Sequence, residues 1–162
     1  MTTRLLSAAL ALSLPLALFP APARAQVEEV KITVDGLTCN LCAAGLDRSL
    51  RKLDGVTGVK VTLATQVATM RLKPGVRVAP DQLRAAVERA GQSLVGVEVR
   101  LRGTLQRGEH QYQLRAPELP QVFALGDDAR LQALAGKTVR LRGRVRPAGA
   151  PGFELEVVDV TP

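Results

Sequence analysis

Glu29-Val30-Lys31-Ile32-Thr33-Val34-Asp35-Gly36-Leu37-Thr38-Cys39-Asn40-Leu41-Cys42 is the stretch on which the fold turns. Val30, Ile32 and Val34 alternate with Glu29, Lys31 and Thr33, the period-two pattern of a half-buried strand. Asp35-Gly36 ends it. The next residues form a loop running into a helix, because Cys42, Leu46, Leu50 and Leu53 recur at helical spacing and mark one apolar face. Gly55 is expected to close that helix. Both cysteines therefore lie where a strand hands over to a helix.

Downstream, Val59, Val61 and Leu63 alternate as a second strand, and Gln66–Lys73 forms a third with Ala68, Met70 and Leu72 on one face. Pro74-Gly75 is a turn. Pro80 suits a first helical position with Asp81 in the first turn. Leu83, Ala86, Val87 and Ala90 make the buried stripe of a second helix, which Gly91 stops. Val95, Val97, Val99 and Leu101 then alternate with Gly96, Glu98, Arg100 and Arg102. The order β-α-β-β-α-β is the ferredoxin-like arrangement, so the fold class is α+β.

The rest reads as strands over Leu101–Gln106, His110–Leu114, Gln121–Leu125, Thr138–Arg146 and Phe153–Val160, with a short helix over Asp127–Ala135. This pattern predicts a small OB-like β-barrel. Tyr112, Phe123 and Phe153 are expected to pack it, and Asp127-Asp128 reads as a helix N-terminal signal. Val-Arg-Leu-Arg-Gly occurs at 99–103 and again at 139–143, an echo expected from two similar strands, each bent at a glycine. No linker separates the halves, so one long bent strand is expected to serve both, with the boundary near Val99.

The chain opens with Arg4, an apolar run from Leu5 to Phe19 and Ala23-Arg24-Ala25, the outline of a secretory signal with its cleavage site. The run is short for a membrane span, which needs about 20 residues. The expected organisation is 1–25 signal peptide, 26–98 first domain and 99–162 barrel. Export is expected, to the periplasm in a cell with two membranes. The net charge of +7 falls to +5 without Arg4 and Arg24. Basic and acidic residues are interspersed and aromatics make up 2% of the chain, which argues against nucleic-acid stacking platforms.

There are two cysteines and one histidine, His110, in the 162 residues. A bridge between Cys39 and Cys42 closes a tiny loop and constrains little of the unfolded chain. Close C-x-x-C pairs serve metal binding or redox chemistry more often. A helix N-terminus favours the thiolate forms. A closed structural zinc site needs four protein ligands, and this first domain offers two. Two soft thiolates suit Cu(I) or Hg(II); Zn(II) would need ligands from elsewhere. His110 reads as a solvated turn residue and Met70 as core. No nucleophile–base constellation or phosphate-cradling loop is present in the sequence, so an enzyme is not expected.

Gly36-Leu37-Thr38-Cys39-Asn40-Leu41-Cys42 resembles the Gly-Met-Thr-Cys-x-x-Cys signature of the heavy-metal-associated domain family, and Leu53-Asp54-Gly55-Val56 and Ala90-Gly91 match its layout. The resemblance covers about Val27–Val99. It implies Cys39 and Cys42 as metal ligands, shallow exposed binding, and ligand-exchange transfer with a donor or acceptor protein such as a membrane metal transporter. Leu37 stands where the family usually has Met, a residue that packs under the loop. Gln92 stands where many bacterial copper and mercury members carry Tyr. Two other functions are open to the chain: a thiol–disulfide oxidoreductase using the same cysteines, and a non-catalytic adaptor whose barrel binds a membrane-transport partner while the cysteine pair is vestigial.

Overall fold

A computed structural model describes residues 26–77, 79–115, 122–126, 128–147 and 153–162. The expectations for the 1–25 signal segment, for Asp127 and for the Phe153 side chain lie outside the described residues. No helix among those described is long and apolar enough to cross a membrane.

The first half follows the expected order: β1 (Gln26–Asp35), α1 (Asn40–Leu50), β2 (Val56–Thr62), β3 (Val67–Leu72), α2 (Pro80–Arg89) and β4 (Ser93–Arg107). The sheet runs β2-β3-β1-β4, all antiparallel. Val30, Ile32, Ala68, Met70, Val97 and Val99 are buried on it, and Leu46 and Leu50 of α1 with Leu83, Ala86 and Val87 of α2 complete the core. The Ser49 hydroxyl donates to the Ala86 carbonyl at 2.6 Å and ties the two helices together.

Two local expectations need correction. Helix α1 ends at Leu50, not at Gly55. The backbone continues through turns, with Leu53 N–H donating to Leu50 O and Val56 N–H to Leu53 O. Gly55 instead makes the entry to β2 at φ +76°, where a Cβ would overlap the Val76 side chain. Val95 is not on the buried face of β4. The register steps from Thr33↔Gly96 to Val34↔Leu94, leaving Val95 as the extra residue of a bulge. A bulge reverses the inward–outward alternation, so Val95 is 67% exposed while Leu94 joins the core margin.

The second half contains β5 (Tyr112–Arg115), β6 (Val122–Leu125), α3 (Ala129–Gln132), β7 (Thr138–Pro147) and β8 (Phe153–Thr161). The order β4-β5-β6-β8-β7 closes because β7 also pairs with β4, making a five-stranded barrel. The pairing of β6 with β8 is parallel. The expected helix over 127–135 is reduced to the four residues of α3, capped by Asp128. Leu131 from α3, together with Leu105, Tyr112, Leu114, Phe123, Leu125, Val139, Leu141 and Leu155, fills the interior.

Strand β4 crosses the expected boundary without a break. Glu98–Arg102 are paired on both edges, to β1 on one and to β7 on the other. Thr104 pairs with both β7 and β5, so β5 takes over the edge that β1 leaves. Gly103 stands at that handover, where a Cβ would lie 2.9 Å from the Arg115 carbonyl oxygen. The two Val-Arg-Leu-Arg-Gly segments are partners: Val99↔Gly143, Leu101↔Leu141 and Gly103↔Val139. Their likeness is that of two strands meeting about a local two-fold at the Leu101–Leu141 rung.

Candidate metal centre

Cys39 is the N-cap of α1, in extended backbone at φ −142°, ψ 159°. An N-cap side chain ordinarily offers an oxygen to the unpaired first-turn N–H groups. Here Sγ of Cys39 accepts from the backbone N–H of Cys42 at 3.0 Å, and the Cys39 carbonyl accepts from Ala43 N–H at 3.0 Å. Cys42 sits in the first turn, which carries no acidic residue. The helix start therefore presents its partial positive charge to the sulfurs without a competing carboxylate.

The Cα atoms of Cys39 and Cys42 lie 5.1 Å apart, and their sulfurs are joined as a disulfide. A bridge across so small a loop constrains little of the unfolded chain, yet the two sulfurs reach each other directly. Cys39 is exposed and Cys42 half-buried. Leu41 between them is 81% exposed, so the pair lies on an open, shallow tip.

Beneath the tip the loop is anchored. Gly36 stands at φ +87°, its N–H donates to Asp35 Oδ1 at 2.9 Å, and Thr38 N–H donates to the Gly36 carbonyl at 3.1 Å. Leu37 is 3% exposed and belongs to the core. It packs under the loop, as an apolar residue at that position should.

The other ligand types are elsewhere. Met70 is 1% exposed within the core. His110 is exposed in the turn after β4, whereas the cysteine loop adjoins the start of the strand, through Asp35↔Ser93. The 15 residues of β4 separate the two, a path of about 45 Å at the usual strand rise. His110 does not join the cysteines. Among the described residues no three or more His, Cys, Asp or Glu side chains gather as a metal-binding group. Once reduced, Cys39 and Cys42 would offer two thiolates, a set suited to a two-coordinate soft ion and short of the four ligands of a closed zinc site.

One residue against the site was legible only as a departure from a motif. Gln92 is buried, at 6% exposure. It follows α2 in a Schellman turn, with Gln92 N–H donating to Val87 O and Gly91 N–H to Glu88 O. That position ordinarily carries an apolar side chain against the helix. A glutamine there was the available signal.

Comparison with known proteins concerns the first half of the chain. Residues 31–93 match the heavy-metal-associated domain model. Human copper-transporting ATPase 2 is 39% identical over 67 residues, which are 41% of this chain and 4% of that protein. Copper-transporting ATPase 1 of Rhizobium meliloti (strain 1021) is 40% identical over 58 residues, 36% of this chain and 7% of that protein. This chain thus spans a small fraction of these relatives. Among solved structures, a CopZ metallochaperone is 26% identical with a TM-score of 0.39, covering 42% of this chain and 100% of its own. Oxidized MerP from Ralstonia metallidurans CH34 is 26% identical with a TM-score of 0.38, covering 43% of this chain and 94% of its own. Residues 31–93 of this chain therefore match the heavy-metal-associated domain family.

Proposed function

We propose that this protein captures a thiophilic ion, Cu(I) or Hg(II), on the thiolates of Cys39 and Cys42 and passes it on by ligand exchange. The single observation that carries the reading is the pair itself: two sulfurs at an acid-free helix start, on an open tip, within the matched domain. Shallow exposure suits transfer, because an incoming thiolate can add to the ion before the first one leaves. The disulfide must first be opened to the dithiol, taking two electrons and two protons from a thiol reductant that is itself oxidised to a disulfide. The copper-transporting relatives support a donor or acceptor protein such as a membrane metal transporter. The segment 1–25 is read as an export signal, placing the mature chain outside the cytoplasmic membrane. The division into 26–98 and 99–162 and the OB-like character of the barrel belong to the same reading; the barrel order β4-β5-β6-β8-β7 supports the latter. The protein is a carrier and not an enzyme.

Anaerobic reduced protein is expected to bind one Cu(I) or Hg(II) per chain in competition with a chromogenic chelator, and to lose it on Cys39→Ser or Cys42→Ser. Tight binding retained by the double variant overturns the proposal. The Cys39–Cys42 disulfide favours one second reading, thiol–disulfide exchange. Turnover in a metal-free disulfide reductase assay, dependent on both cysteines, would favour that instead.

A further inference from the structure

Gln92 is the one buried polar residue among the hydrophobic core of the described chain. Its Nε2 donates to the Ala90 carbonyl at 2.7 Å, which fixes the amide's orientation, since only the nitrogen can donate. Its Oε1 is then left buried with no hydrogen-bond partner. A buried carbonyl oxygen without a donor is penalised, because it has given up water and gained nothing. Buried atoms of this kind are few in folded proteins, and each calls for an explanation.

The surroundings give one. Gln92 lies against Gly36: a Cβ built there would sit 3.9 Å from both Cα and Cγ of Gln92. Gly36 opens the loop that carries Cys39, three residues on. The bulge at Val95 sets the inward phase of Leu94, and Gln92 is buried two residues before it. The cysteine loop itself is constrained by the Cys39–Cys42 bond. Opening that bond creates two S–H groups, weak donors, and releases the constraint on the loop.

We propose that Gln92 is a positioning residue of the cysteine loop: its buried amide oxygen takes a hydrogen bond from the loop when the Cys39–Cys42 bond is open, and so favours the dithiol over the disulfide. In the relevant exchange, two thiols of a reductant such as glutathione supply two electrons. The Cys39–Cys42 S–S bond breaks, each sulfur takes up a proton, and glutathione disulfide forms. Gln92 takes no part in the bond changes. It raises the free energy of the disulfide form through the orphaned oxygen and relieves it in the dithiol, the form that binds metal. The inference rests on the carrier reading for its biological purpose, although its first readout does not require metal.

The test equilibrates the full mature chain with glutathione redox buffers at pH 7 and measures the dithiol fraction by thiol alkylation, for the natural protein and for Gln92→Leu. The variant fills a similar volume without an acceptor. Its equilibrium is expected to shift about tenfold toward the disulfide, equivalent to about 30 mV. If Gln92→Leu does not fold, as judged by circular dichroism, Gln92→Met replaces the same volume with an unbranched chain. A folded variant whose equilibrium stays within twofold of the natural protein, or shifts toward the dithiol, overturns the proposal. A Cu(I) competition titration on the reduced proteins separates the two readings. A tenfold redox shift without metal binding in either protein sustains the role of Gln92 and sinks the carrier reading. Metal binding with no redox shift does the reverse.

Discussion

The two ends of β4 belong to the same strand and behave differently. At the Ser93 end the strand carries a bulge, the neighbouring loop holds two sulfurs, an amide oxygen is buried without a partner, and Leu41 stands in solvent. At the Arg107 end the sheet closes on itself and apolar side chains fill the barrel. The reactive groups gather where strand pairing stops and a helix begins, because unpaired backbone and exposed sulfur are available there. A closed barrel removes sheet edges and leaves no such terminus. The sulfurs thus lie at one end and a closed, apolar-filled barrel at the other, with the shared strand as the joint.

The sharpest way to break that picture is at the joint. Leu101 is 1% exposed and pairs with Val27 on one side and Leu141 on the other. Leu101→Ala is expected to cost about 2–5 kcal/mol, the range for truncating a buried leucine. Because both cores lose packing, both should melt together. Tyr112 is the only tyrosine, the chain has no tryptophan, and Tyr112 lies in the barrel, so its fluorescence reports that half. Far-ultraviolet circular dichroism is dominated by α1 and α2 in the other half. In urea the two signals should give one coincident transition, before and after substitution. Two separated transitions would show that the halves unfold independently across the shared strand.

Gly103 sharpens the same point. A side chain there meets the Arg115 carbonyl oxygen and Leu114 Cγ, whereas Gly96 on the same strand has nothing within 4 Å. Gly103→Val should destabilise by about 1–3 kcal/mol through overpacking, and should lower amide protection in β5 first. Gly96→Val should have little effect on either measurement. Equal losses at the two positions would remove the close approach as the reason for glycine at the handover.

Much of this was legible in the sequence, and the rest failed for identifiable reasons. The alternation of Val30, Ile32 and Val34 and the helical spacing of Leu46 and Leu50 report burial directly, and those elements stand where expected. The lack of any Pro- or Gly-rich linker near Val99 signalled the shared strand. Val95 could not be placed, because a bulge is set by the pairing of two distant strands and not by local alternation. The end of α1 was misplaced because Gly55 serves the next turn. The repeated Val-Arg-Leu-Arg-Gly suggested similar strands, but only three-dimensional pairing makes them partners. At the site, the cysteines announced themselves by spacing. Gln92 did not, because burial of a polar side chain depends on what packs over it.

The pairing of those two segments has an electrostatic consequence. It sets Arg100 opposite Arg142 and Arg102 opposite Arg140, and like charges directly opposed weaken a sheet. Flanking strands supply the opposite sign. Glu29 lies 3.8 Å from Arg100, Glu28 3.4 Å from Arg140, and Asp159 3.9 Å from Arg142. Exposed pairs of this kind contribute about 0.2–1 kcal/mol each. Glu28→Gln and Glu29→Gln should each lower stability within that range at low ionic strength, and the loss should shrink as salt is raised. A salt-independent loss would point to packing instead of charge at the joint.

The smallest expected effect lies in the barrel and gives it an acid-sensitive element. Asp128 caps α3 by accepting from the Arg130 backbone N–H at 2.9 Å, and the Arg130 guanidinium binds the same carboxylate at 2.6 Å. The side-chain hydrogen bonds of Arg130, and then its backbone N–H, hold the Asp128 carboxyl below its ordinary range, against a weaker opposing effect of burial. The carboxylate therefore stabilises the fold fully above the ordinary aspartate value of about 3.9, and that contribution fades as pH falls through the lower folded value. The Asp128 carboxyl 13C shift should titrate below that ordinary value, and Arg130→Gln should move the midpoint back up. Since α3 delivers Leu131 to the barrel interior, loosening of this cap should appear first as faster amide exchange in α3 and at Leu134–Lys137. The amides of α1 should be unchanged over the same interval, since no part of this capping pair touches the cysteine end. Parallel loss of protection in α1 would mean that the barrel transmits its local state along β4, and the two ends would have to be read as a coupled pair.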